Sequence, residues 1–244
     1  MSAIEFAEVC KTWVQPDEQS RVAALCQLNL KVDQGEVFAL AGLNGAGKTT
    51  AIKILLGACH ADSGSARILD GLDSLSSLHS LGFAPEEPDL PAFLTVEELL
   101  TAACGLSGMP LTTGRLDRAL ELFSLDSERR RQVGDLSKGT RQRVSLAAAV
   151  VHQPKLVIFD EPASGLDPLG RQLVKNVIRQ LNSEGATVFF TTHILSDLPG
   201  LCSRIGVLHR GKLLFAGTPA EFCQSDALPA LEERFSSMVS VAGA

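Results

Sequence analysis

Residues 36–57 read EVFALAGLNGAGKTTAIKILLG. A short apolar run passes into a glycine-rich turn and then into a helix-like run. The turn fits G-x-x-x-x-G-K-[ST], with Gly42, Gly47, Lys48 and Thr49 in the fixed positions. A strand entering such a turn and a helix leaving it form the setting in which the motif has its chemistry. Glycines let backbone N–H groups turn inward around phosphate oxygens, and the helix start adds partial positive charge. Gly42, Leu43, Asn44, Gly45, Ala46 and Gly47, followed by Lys48, Thr49 and Thr50, therefore form a candidate nucleotide cradle. Lys48 reaches the β- and γ-phosphates in such a loop, and the Thr49 hydroxyl is a ligand for Mg²⁺.

Outward from this loop the chain alternates. Short apolar runs at 36–42, 80–85, 155–160, 187–193 and 204–217 are too short for helices and read as buried strands. Helical patterns lie between them at 48–58, 96–106, 114–125, 141–151 and 168–185. Such alternation predicts an α/β fold, a largely parallel sheet with helices on its faces. The stretch 86–150 is helix-rich without a convincing strand and reads as an inserted helical lobe. The 244 residues suffice for one large core with such a lobe. A net charge of −6 argues against a protein held mainly by nucleic-acid phosphates. The six scattered cysteines form no C-x-x-C pair and read as small buried apolar residues in a reducing compartment. Nothing at the N-terminus resembles a secretory leader, and no apolar run reaches membrane-spanning length, so a cytoplasmic protein is expected.

The second chemical feature is KLVIFDEP at 155–162. An acid after four apolar residues lies at the carboxyl end of a buried strand, where open α/β sheets bind ligands. Asp160 there can hold Mg²⁺ through water, and Glu161 is placed to orient and deprotonate an attacking water.

With these two motifs on one chain, the sequence resembles the nucleotide-binding (ATPase) subunits of ABC transporters over nearly its whole length. The family signature Leu-Ser-Gly-Gly-Gln has a counterpart in LSKGT, which keeps Leu136, Ser137 and Gly139 and carries Lys138 and Thr140 in place of Gly and Gln. SGLDP at 164–168 is similar to the D-loop, with Asp167, and TTH ends at the position of the switch histidine, His193. Glu86 in LGFAPEEP stands at the Q-loop where many members have Gln, and Trp13 stands where an aromatic residue stacks on adenine. The LSKG variant, the Q-loop acid and the segment after the switch resemble the type-2 exporter group most.

The resemblance implies a P-loop NTPase (RecA-like) core with an N-terminal antiparallel β subdomain and an inserted helical subdomain. It divides the chain into 1–85 and 151–218 as ATP-binding core, 86–150 as helical signature subdomain and 219–244 as a short tail. ATP and Mg²⁺ are the implied cofactors, with Thr49, Asp160 and Glu86 toward the metal. Lys48, Glu161 as general base and His193 as γ-phosphate sensor are the implied catalytic set. Trp13 stacking is worth ~1–3 kcal/mol and is loose between ATP and GTP. Each signature faces the γ-phosphate held by a second copy, so an ATP-dependent homodimer is implied, peripheral to the membrane through a separate permease subunit. Nucleic acid is not an expected partner. An ABC ATPase powering mechanotransmission or assembly without translocation is the alternative. Three readings stay open: Lys138 beside the other copy's phosphates or, slightly preferred, in water; Glu86 as metal ligand or solvated acid; Phe93 and Leu94 as membrane-partner contacts or lobe packing.

Overall fold

In chain order the elements are β1 (Ser2–Val14), β2 (Arg21–Asp33), β3 (Val37–Ala41), α1 (Lys48–Leu55), β4 (Ser63–Ile68), β5 (Leu81–Ala84), α2 (Val96–Leu106), α3 (Thr113–Leu122), α4 (Lys138–Val150), β6 (Leu156–Phe159), α5 (Pro168–Ser183), β7 (Thr187–Thr192), β8 (Arg204–His209), β9 (Lys212–Gly217) and α6 (Pro219–Cys223). They come from a computed structural model that describes residues 1–14, 21–69, 79–223, 233–238 and 240. Much of the expected tail 219–244 therefore lies outside the described residues. Two compact units emerge, Met1–Gly71 with Thr191–Ala244, and Leu72–Phe190.

The first unit opens on an antiparallel sheet in the order β2-β1-β4. Glu8 and Gln27 both take φ of 51°, and the β1–β2 register slips between Phe6 and Val9, so bulges twist this pair. β3 pairs in parallel with β8, and every residue of β3 is buried, as a strand covered on both faces requires. The apolar run 204–217 is two strands. Arg210 and Gly211, at φ 45° and 78°, form the two-residue turn between antiparallel β8 and β9.

In the second unit β5 pairs in parallel with β6, and β6 in parallel with β7. All four residues of β6 and all six of β7 are buried. Between β5 and β6 come α2, α3 and α4, where the single β pairing among the described residues is the Thr95–Gln132 bridge. Helix starts follow local chemistry. Thr95 and Glu98 form a capping box on α2, Ser137 caps α4, and Asp167 caps α5 ahead of Pro168. Arg129 fastens the lobe by a bidentate pair with Glu97 and a further bond to Asp117 on α3.

The mixture of antiparallel N-terminal strands, parallel core strands and inserted helices is the expected fold class. The cysteines differ from expectation. Cys104 and Cys202 are buried, and burial pushes the Cys202 thiol up to about 12. Cys10, Cys26, Cys59 and Cys223 are half-buried. Cys10 and Cys26 lie on the bulged β1–β2 pair. Among the described residues no helix is long and apolar enough to cross a membrane.

Candidate functional site

The phosphate loop is built within the first unit. It leaves β3, and the Gly42 N–H donates to the Thr192 carbonyl at 3.1 Å, tying the loop's first glycine to the end of β7. A Cβ on Gly42 would lie 2.5 Å from the Leu208 carbonyl oxygen, so β8 backs the loop at glycine distance. Gly47 has φ 110°, and a Cβ there would meet the Ala24 carbonyl oxygen of β2 at 2.3 Å. The Gly211 N–H donates to Ala46 at 2.9 Å, so the β8–β9 turn closes the support. Among the described residues no side chain caps α1 and no acid occupies its first turn, leaving the positive helix end to an outside anion. Lys48 is buried, its ammonium donating to the carbonyls of Gly42 at 2.6 Å and Leu43 at 3.3 Å. Leu43, Asn44, Gly45 and Thr49 are exposed along the loop.

Two further expected residues belong to this unit. His193 is exposed directly after β7, and the Ile194 N–H bonds the Thr192 hydroxyl at 2.9 Å to set that turn. The Trp13 indole N–H donates to the Thr50 hydroxyl at 3.3 Å, which brings the aromatic ring to the first turn of α1. Lys11 stands 5.0 Å over the ring, a cation–π contact, and is held by Asp62 at 2.9 Å. Asp62 also accepts the Thr12 N–H at 2.6 Å. The Lys11 hydrogen bond, then that of Thr12, holds the Asp62 carboxyl below the usual aspartate range. A depressed carboxylate stabilises the fold above its unfolded pKa, and the contribution is lost as pH falls through the lower folded value. Emission of Trp13, the only tryptophan, is therefore expected to stay constant from pH 7 to about 4 and to shift below. Asp62→Asn should show altered emission even at pH 7. Wild-type emission from that variant would mean that Lys11 is held over the ring without Asp62.

The acids belong to the second unit. Asp160 and Glu161 follow β6, 3% and 5% exposed, and the Asp160 N–H donates to Ala84 at 2.9 Å. Glu161 has φ 47°, a left-handed conformation that costs a non-glycine residue on the order of 1 kcal/mol. The Ser164 N–H closes the turn on the Glu161 carbonyl at 2.9 Å. Glu86 is exposed and accepts from the Ser164 hydroxyl at 3.4 Å, so it is neither wholly solvated nor buried.

The signature stretch and the D-loop pack together in this unit. Ser137 is the N-cap of α4, accepting the Thr140 N–H at 3.2 Å, while Leu136 is buried beneath it. Asp167 caps α5 through the Gly170 N–H at 2.7 Å. A Cβ on Gly139 would touch Leu166 at 3.4 Å, and one on Gly165 would lie 3.8 Å from the Lys138 ammonium. Lys138 is exposed, as the slight preference for water has it, with its stem running past Gly165 of the D-loop. Glycine at 165, with φ 70°, leaves the room. Phe93 is 75% exposed and Leu94 half-buried. An open groove of about 660 Å³ runs past Ser137, Thr140, Arg143 and Asp167.

Trp13, Lys48, the loop and His193 thus share one unit; Glu86, Asp160, Glu161, the signature and Asp167 share the other. Sequence reasoning gave no role to Lys11, Asp62, Arg143 or the Ser164 hydroxyl. Arg143 stands three residues after Thr140, the spacing of helix neighbours, which was the available signal.

The model of the ABC transporter family matches residues 25–164. An uncharacterised ABC transporter ATP-binding protein of Synechocystis sp. is 38% identical over 215 residues, 84% of this chain and 60% of that protein. The bacitracin transport ATP-binding protein of Bacillus licheniformis is 37% identical over 191 residues, 77% of this chain and 62% of that one. A solved structure of the ATP-binding subunit of an ABC transporter superposes with a TM-score of 0.82 at 28% identity, covering 97% of this chain and 99% of that chain. The chain spans about 60% of the length of those two curated relatives.

Proposed function

Since the chain belongs to the ABC transporter family, we propose that it binds and hydrolyses ATP and thereby drives a separate membrane subunit, as part of an exporter. The observation that carries this reading is the phosphate loop, with an uncapped helix start, a buried Lys48 and glycines pressed against β2 and β8. The likeness to a bacitracin transport ATP-binding protein supports the export direction. In this reading 1–85 and 151–218 form the ATP-binding core, 86–150 the signature subdomain and 219–244 a tail.

The residues fit a triphosphate and its metal. Lys48 now spends its protons on two loop carbonyls, and phosphate oxygens are stronger acceptors for the same ammonium. Hard oxygen donors that suit Mg²⁺ are present in each unit: the exposed Thr49 hydroxyl in the first, the Asp160 and Glu86 carboxylates in the second. Bound to those oxygens, Mg²⁺ would supply charge neutralisation to the triphosphate. Trp13 stacks on the base. Glu161 accepts the proton of the attacking water, and His193 senses the γ-phosphate. Ser137 and Gly139 meet the γ-phosphate held by a second copy, so hydrolysis belongs to an ATP-closed homodimer. Phe93, exposed beside half-buried Leu94, is the apolar contact offered to the membrane subunit.

The test is Mg²⁺-dependent phosphate release by the purified chain. ATP should be hydrolysed with Mg²⁺, and a chelator should abolish turnover while leaving Trp13 responsive to nucleotide. Absence of hydrolysis in the isolated chain and in its membrane complex alike would overturn the reading.

A further inference from the structure

The signature departs from its family pattern at Thr140, and the hydrogen bonds around that residue form a chain. The Ser137 and Thr140 hydroxyl oxygens are 2.9 Å apart. Ser137 Oγ already accepts the Thr140 N–H as the helix cap. Arg143 Nη2 donates to Thr140 Oγ1 at 3.4 Å, while its Nη1 donates to the carbonyls of Phe123 at 2.9 Å and Ser124 at 2.8 Å. Those carbonyls lie where α3 ends. Ser124 takes φ 52°, and the Leu125 N–H reaches back to Leu120 at 2.8 Å, the left-handed closure of a helix. The end of α3 therefore fixes Arg143, and Arg143 fixes Thr140.

A hydroxyl has two lone pairs and one proton. Thr140 Oγ1 accepts from a cation, which polarises it and makes its own proton the better donor of the hydroxyl pair. Passed to Ser137 Oγ, that proton would take the lone pair that the cap leaves over. With both lone pairs filled, Ser137 would have only its proton to offer, at a residue that lines the open groove.

Resting on the reading of Ser137 as a γ-phosphate contact in trans, we propose that Thr140 is a positioning residue. Together with Arg143 it aims the Ser137 proton at an oxyanion supplied by the second copy. The substitution of Thr for the family's Gln then changes how the serine is oriented and keeps its function.

Thr140→Val keeps the β-branched shape and the backbone cap but removes the hydroxyl. It should bind ATP with wild-type affinity by Trp13 fluorescence while kcat falls about five- to tenfold. Thr140→Ser, which restores the hydroxyl, should return kcat to within about twofold of wild type. Arg143→Lys cannot hold two carbonyls and a hydroxyl together, and it should reproduce the kcat loss should the Val variant fold poorly. Ser137→Ala separates the two levels of the argument. If it is impaired while Thr140→Val and Arg143→Lys turn over normally, the positioning role is wrong and the trans contact stands. If Ser137→Ala is itself normal, the trans contact fails and the positioning role with it.

Discussion

Glu161→Gln is expected to leave ATP binding intact and to lower steady-state hydrolysis ~10²–10⁴-fold, the range for loss of a general base. The side chain is 5% exposed, at the end of a strand whose four residues are all buried, so its setting is rigid. Glutamine has the same shape and meets the same backbone strain at φ 47°, so the fold changes little. The amide cannot take a proton from water. Phosphate release measures the loss, and Trp13 titration measures the retained affinity. Hydrolysis above about a tenth of wild type would mean that another group accepts the proton.

Gly47→Ala is the second large effect, and it acts through geometry. A Cβ would lie 2.3 Å from the Ala24 carbonyl oxygen and 3.0 Å from Leu25 Cδ2, at a φ of 110° that alanine disfavours. Neither β2 nor the loop moves freely, because the Gly211 turn also bonds Ala46 and Cys26. We expect about 2–3 kcal/mol of lost stability from the combined clash and strain. ATP affinity should fall at least about a hundredfold, because the N–H groups of the loop leave their places around the phosphates. Gly45→Ala is the control: φ is 78°, but nothing lies within 4 Å of the added carbon. It should cost about 1 kcal/mol of backbone strain. Thermal unfolding and nucleotide titration of both variants check the contrast. Equal effects would show that strain alone matters and that β2 does not press on the loop.

Local chemistry was legible in the sequence and long-range register was not. The phosphate loop and the buried strand before Asp160 each need particular residue types within a few positions. Their elements could therefore be read directly. Lys11 and Asp62 meet only because β1 and β4 pair in one register. Gly47 can be explained only once β2 lies behind it. The half-buried Cys10, Cys26, Cys59 and Cys223 depart from the expectation of burial, because composition does not say where a residue falls in the fold. That exposed Lys138 runs past Gly165 is likewise a matter of where α4 meets the D-loop, which the signature alone does not give.

The central claim is that two copies close around ATP, with the signature of one serving the nucleotide of the other. Light scattering of Glu161→Gln tests it most directly, since a variant that binds without hydrolysing should accumulate in the closed state. With ATP and Mg²⁺ the particle mass should rise to twice the 25.9 kDa of one chain, and Ser137→Ala in the same background should weaken that rise. A mass that stays at one chain while Trp13 reports saturation with ATP would contradict the account.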